Sequence, residues 1–193
     1  ILIKWSRQIK NYSTMNKEMD IKESFKNIIS NQKFDDSILP MLKMINEKGF
    51  SANKKDSLKS LKDSGFDGYG DYKINSLKII ILYVNIAIED NILAENEKRI
   101  VKFLKLLFQI KEGDFSSNKE IFKDVSEIIK TQLELIYLDD NKIDQKEALH
   151  KVDLQELFDL GYDQFLKFSN YADKLALDKG ANISDLDTFL KNP

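Results

Sequence analysis

An eight-residue phrase occurs twice in this chain. Asp90-Asn91-Ile92-Leu93-Ala94-Glu95-Asn96-Glu97 returns 50 residues later as Asp140-Asn141-Lys142-Ile143-Asp144-Gln145-Lys146-Glu147. Each copy is an acidic turn, an aliphatic residue and a glutamate four positions beyond it. Each follows an apolar run and precedes a segment of helical pattern, so the copies mark two matching helix–turn–helix units. Self-similarity at a fixed period restricts the fold to stacked copies of one supersecondary unit. The match continues: Phe115 stands 18 residues after Glu97 and Phe165 stands 18 after Glu147, which aligns Gly113-Asp114-Phe115 with Gly161-Tyr162-Asp163-Gln164-Phe165.

Hydrophobic spacing is helical almost throughout, and only two prolines and seven glycines interrupt it. Ahead of the repeat, the pattern predicts helices over residues 17–31, 36–48 with Gly49 as the stop, and 53–64. The stretch Gly65-Phe66-Asp67-Gly68-Tyr69-Gly70-Asp71-Tyr72 reads as a loop and as a domain boundary. Beyond it the pattern predicts helices over 74–89 and 95–111. Ser117-Asn118-Lys119-Glu120 forms a capping box that opens a helix to about Leu138. Helices over 144–160, stopped by Gly161, and over 163–177 follow, and Ser184-Asp185-Leu186-Asp187 caps a short terminal one. The expectation is an all-α helical bundle with an internal two-fold repeat of helix hairpins over 74–193, preceded by an N-terminal helical region over 1–73. Residues 1–14 read as an extension ahead of a start at Met15 or Met19.

Composition narrows the function classes. The 30 basic and 32 acidic side chains leave a net charge of -2, so no global field recruits nucleic acid. Without cysteine there is no disulfide, thiolate metal site or cysteine nucleophile. The longest apolar stretch, residues 79–88, is broken by Asn85 and falls well short of the roughly 20 residues of a membrane span. The expected location is cytoplasmic.

The turns themselves suggest chemistry. Asn91 and Asn141 adopt left-handed backbone at low cost and reverse the chain. Glu97 and Glu147 fall in the first turn of the next helix, where negative charge suits the dipole. One reading is purely architectural. The other is a divalent-cation site, Ca2+ or another hard cation, drawing on Asp90, Glu97, Asp140, Asp144 and Glu147. An EF-hand is excluded. With Glu147 as twelfth loop residue, positions one and three would be Ile136 and Leu138, and with Glu97 they would be Ile86 and Ile88.

The paired turns, 50 residues apart in a helical repeat, resemble those of the TerB-like (tellurite-resistance protein B-like) family, whose members read Ala-Asp-Gly, an aliphatic residue, then Glu four later. The resemblance covers about residues 75–177. It implies a helical bundle with internal pseudo-symmetry, a cytoplasmic role in bacterial stress and metal binding by clustered acids, which map onto Asp90, Glu97, Asp140 and Glu147. This chain departs from the pattern: Asn replaces Gly in both turns, and Ala94 stands where a capping residue is usual.

Other constellations carry less. His150 is the only histidine, so Glu147-Ala148-Leu149-His150 supplies half of a di-iron carboxylate motif that needs two. It reads as a surface or satisfied histidine. Lys98, Lys102 and Lys105 form a basic stripe at i, i+4 and i+7, and Lys54, Lys55, Lys59 and Lys62 form another. Both read as solvated helix faces or as docking patches for an acidic partner, RNA or phospholipid. Trp5, with Ile1, Ile3 and Ile9, is a further candidate partner anchor. No phosphate loop, nucleophile elbow or histidine cluster appears. The expectation is a non-enzymatic interaction or scaffold protein with protein partners. The alternatives are a helical subunit of a larger assembly without metal function, and an enzyme using a carboxylate pocket formed only in three dimensions.

Overall fold

The computed structural model describes residues 20–65, 68–89, 93–138 and 145–178. Among them the chain is helical and contains no strand. The elements are α1 (Ile21–Asn31), α2 (Leu39–Lys48), α3 (Lys54–Asp63), α4 (Tyr69–Ala87), α5 (Glu95–Phe108), α6 (Asp114–Ser117), α7 (Lys119–Leu138), α8 (Gln145–Leu157) and α9 (Tyr162–Asp178), with 3-10 turns at Asp36–Ile38 and Gly49–Ser51. The expected terminal helix after 183 lies outside the described residues.

Local signals place most of the helix ends. The carbonyl of Ile45 accepts from Gly49 N–H, and Gly49 takes φ +55°, as a helix stop requires. Asn53 accepts from the amides of Lys55 and Asp56 while Asp56 accepts from Asn53 N–H, a complete capping box that opens α3. At α7 the capping residue is Asn118, whose Oδ1 accepts from Glu120 and Ile121 N–H, and Ser117 belongs to the single turn α6. Helix α4 begins at Tyr69, five residues earlier than its apolar run implies. Two glycines hid this first turn in what read as a loop.

The described helices share one hydrophobic cluster, which extends from Ile21 to Ala172 and passes across the glycine-rich segment at 65–72. α1 packs on α2, α2 packs on α3, and Phe25 of α1 stacks on Tyr83 of α4, with ring centroids 5.8 Å apart. α4 is apolar on nearly every side and packs against both α5 and α7. Phe115 of α6, fully buried, meets Phe158 edge to face at 5.4 Å, while α9 lies along α7.

Several local devices recur at positions 50 apart. α5 closes with Gln109 N–H donating to Leu106 C=O and Ile110 N–H to Lys105 C=O. α8 closes with Asp159 N–H to Glu156 C=O and Leu160 N–H to Gln155 C=O. Gln109 (φ +53°) and Asp159 (φ +48°) are the two non-glycine residues with left-handed backbone among those described. Just beyond, Lys111 N–H is accepted by Asp114 and Gly161 N–H by Gln164. Earlier, Ser76 Oγ donates back to Tyr72 C=O in α4 as Ser126 Oγ does to Phe122 C=O in α7. Leu104 and Leu154, Phe108 and Phe158, Ile79 and Ile129 are fully buried pairs in the same register. The chain reversal after α8 therefore belongs to Asp159, and Gly161 instead opens α9 by accepting from Gln164 and Phe165 N–H.

Candidate functional site

The five expected cation ligands are divided by the description. Asp90, Asp140 and Asp144 lie outside the described residues, as does Trp5; Glu147 belongs to α8, but its side chain lies outside the description. Glu97 is in place at the third position of α5, where its Oε2 accepts from Ala94 N–H at 2.8 Å. That bond is the returning half of a capping box. Ala94 has extended backbone suited to an N-cap but no side-chain acceptor for the other half. Leu93, the aliphatic residue of the first turn, is buried, as the repeat pattern requires of a plug. Among the described residues no group of three or more Asp, Glu or His side chains converges as a metal ion needs.

The lysine stripe of α5 proves to be two kinds of residue. Lys98 Nζ lies 2.8 Å from Asp153 of α8 and 3.1 Å from Glu95, and these carboxylates hold its pKa above the usual lysine range. Lys105 Nζ lies 2.8 Å from Asp159 and donates at 2.9 Å to Glu156 C=O, again on α8. Burial pushes its pKa down, and the Asp159 pairing only partly offsets that. Its ammonium also stands 5.9 Å from the Phe115 ring centroid. These two lysines are ties between helices, not members of a solvated face. Lys102, between them, is exposed.

The pairs Lys98–Asp153 and Lys105–Asp159 run in the same chain direction on both helices, so α5 and α8 lie side by side and parallel. Between them is a groove of about 490 Å3 with Leu93, Val101, Leu106 and Leu157 in its apolar lining. Leu106 is 79% exposed at its edge, the largest exposure among the large aliphatic side chains of the described residues. The basic edge belongs to α5 and the acidic edge, Asp153, Glu156 and Asp159, to α8.

A second concavity, of about 420 Å3, lies between α4 and α7, with Asn85, Glu89, Asp124, Glu127 and Thr131 in its lining. Under it runs a buried polar link that the sequence pattern did not reveal. Gln132 Oε1 meets His150 Nε2 at 3.0 Å, and Gln132 Nε2 is 3.5 Å from Ile88 C=O. His150 is 5% exposed, so it is an interior histidine that bridges α7 and α8 through Nε2. One signal was available: 50 residues earlier, at the spacing of the paired acidic phrases, the chain has Leu82 and Ile100, apolar where Gln132 and His150 are polar.

Lys73 and Asp114 form a further tie at 2.7 Å, with Lys73 also donating to Gln109 C=O at 2.9 Å. Burial acts to raise the Asp114 pKa, but the Lys73 ammonium and the Lys111 amide hold it below the ordinary value. Apart from these, the second lysine stripe, on α3, faces solvent: Lys55, Lys59 and Lys62 are exposed. No helix among the described residues is long and apolar enough to cross a membrane.

Comparison with protein-family models, with curated proteins and with solved structures gives no match to this chain.

Proposed function

We propose that this chain is a non-enzymatic helical interaction module of the TerB-like kind, built from two copies of one hairpin unit, α4–α5 and α7–α8. The observation that carries the reading is the identity of the two helix closures: left-handed Gln109 and Asp159, each flanked by the same pair of backbone bonds, 50 residues apart. That spacing is the one that separates the two acidic turns. The shared spacing supports the likeness to a family defined by such turns. A cytoplasmic setting in a bacterial stress system belongs to the same reading. So does partner binding along the α5–α8 groove, with its exposed Leu106 and Lys102.

A divalent cation belongs at the second turn. At the first, Glu97 serves as the cap of α5 and Ala94 offers no oxygen. The second has Asp144 where the first has Ala94, which gives it Asp140, Asp144 and Glu147, a set of hard oxygen donors suited to Ca2+, Mg2+ or Mn2+. Calorimetric titration of the chain with each ion tests this. Heat and a raised unfolding temperature are expected with at least one ion, and Asp140→Asn/Glu147→Gln should abolish both. Absence of heat with all three ions would remove the cation from the reading and leave the interaction module.

A further inference from the structure

We propose that α3 is a landing face for an anionic lipid surface. The helix is fixed in orientation. Its capping box closes the N-terminus, and the buried Ser57 Oγ shares a hydrogen bond of 2.8 Å with Tyr72 OH. Ser57, Ser60 and Leu61 point inward, so at 100° per residue Lys55, Lys59 and Lys62 point directly outward in one row. The row is about 10 Å long. Leu58, 37% exposed, lies on the flank it shares with Lys54, whose ammonium is tied to Gln109 at 2.7 Å. On that side of the molecule Phe50, also 37% exposed, packs against Phe103 and lies 4.7 Å below the guanidinium of Arg99.

The charge here is not taken up in ion pairs, although Asp56 lies near enough to Lys55 to feel its charge. Among the described residues no carboxylate lies within ion-pair distance of Lys55, Lys59, Lys62 or Arg99, whereas Lys98 and Lys105 are both paired. Between Lys48 and Asp63 five lysines face two aspartates, a local +3 in a chain of net charge -2. Asp56 is bonded to Lys48, which leaves Asp63 as the second acidic group of the helix. The form of the face selects among acidic partners. A partner helix needs a pocket for an apolar anchor, and the outer face of α3 is convex, with Leu58 its only large apolar side chain. Single-stranded RNA needs open aromatic platforms, and the Phe50 ring, though partly exposed, has Arg99 over its face and Phe103 in edge contact. A layer of anionic headgroups requires only a row of outward ammonium groups, each worth roughly five-fold in partitioning.

The test is co-sedimentation of the full chain with phosphatidylcholine vesicles containing one third phosphatidylserine, beside vesicles of phosphatidylcholine alone. Binding is expected to the anionic vesicles only, and high salt should remove it. Each single Lys→Gln change in the row should lower partitioning about five-fold, and Lys55→Gln/Lys59→Gln/Lys62→Gln on the order of 100-fold. The same three positions changed to Arg should bind like the unmodified chain. Circular dichroism should show both triple variants folded. Lys119→Gln/Lys123→Gln/Lys167→Gln, an equal charge change on α7 and α9, should bind nearly as well as the unmodified chain. Equal binding by the Gln variant of α3, or equal loss in the α7/α9 control, would overturn the proposal. So would retention of the chain by polyglutamate or single-stranded RNA without vesicle binding.

Discussion

The ammonium of Lys105 on α5 is held by Asp159, the residue whose left-handed backbone ends α8, at 2.8 Å. One residue thus both reverses the chain and ties the two hairpins together. Asp159→Ala removes the ion pair and forces alanine into left-handed backbone, so it should lower stability by about 2 kcal/mol. Asp159→Asn tolerates the backbone and should lose less. Chemical unfolding of the two variants separates the contributions.

The same pair has a pH signature. Burial lowers the Lys105 pKa below its unfolded value, so above neutrality the folded chain releases this proton before the unfolded chain does. The unfolded state then binds more protons, and this group's contribution to stability rises with pH up to about the ordinary lysine pKa near 10.5. The difference in stability between the unmodified chain and Lys105→Met, followed from pH 7 upward, should shift in favour of the unmodified chain. Asp114 acts in the same sense, but in the acid range. Its lowered pKa contributes stability above the unfolded value near 3.8, and that stability is lost as pH falls through the folded pKa. Asp114→Asn should therefore flatten the acid limb of the stability curve.

Gln132 and His150 offer a test of the repeat from inside the core. Either Gln132→Leu or His150→Ile alone leaves a buried polar group facing an apolar one and should cost about 1–3 kcal/mol. The double variant installs the residues that stand 50 positions earlier, Leu82 and Ile100, the latter fully buried. It should recover most of the loss, a coupling that a double-mutant cycle measures directly.

Ala94 leaves the first turn with half a capping box. Ala94→Ser should supply the missing acceptor and stabilise the chain by about 1 kcal/mol, read as a raised unfolding midpoint. Gly49 is the converse case. A Cβ there would stand 3.0 Å from Lys22 Cε and 3.2 Å from Ile21 Cγ2 on left-handed backbone. Gly49→Ala should cost about 1–2 kcal/mol.

Sequence periodicity made the helices legible because burial of one face repeats every three to four residues, as at Ile100, Leu104, Leu107 and Phe108. It misjudged α4's start, since Gly68 and Gly70 mimic a loop while Tyr69 and Tyr72 already belong to the helix. It placed the α8 reversal at Gly161, because nothing in composition says that Asp159, braced by Lys105, takes the left-handed position. It read Lys98 and Lys105 as a free stripe for a related reason: their partners, Asp153 and Asp159, lie more than 50 residues away and only packing brings them near. The groove between α5 and α8 follows from the same long-range packing, and so was not legible. The 50-residue spacing was legible in the paired acidic phrases, whereas the helix closures and serine bonds that share it need coordinates.

The central claim is that one hairpin unit occurs twice and that its second turn takes a cation. A crystal structure determined with Mn2+ present, using data collected at the manganese edge, tests it most directly. The account predicts that residues 69–110 superpose on 119–160 helix for helix at an offset of 50, with one anomalous peak at the turn carrying Asp140, Asp144 and Glu147. Hairpins that superpose only in another register, or a second turn that bears no peak, would contradict it.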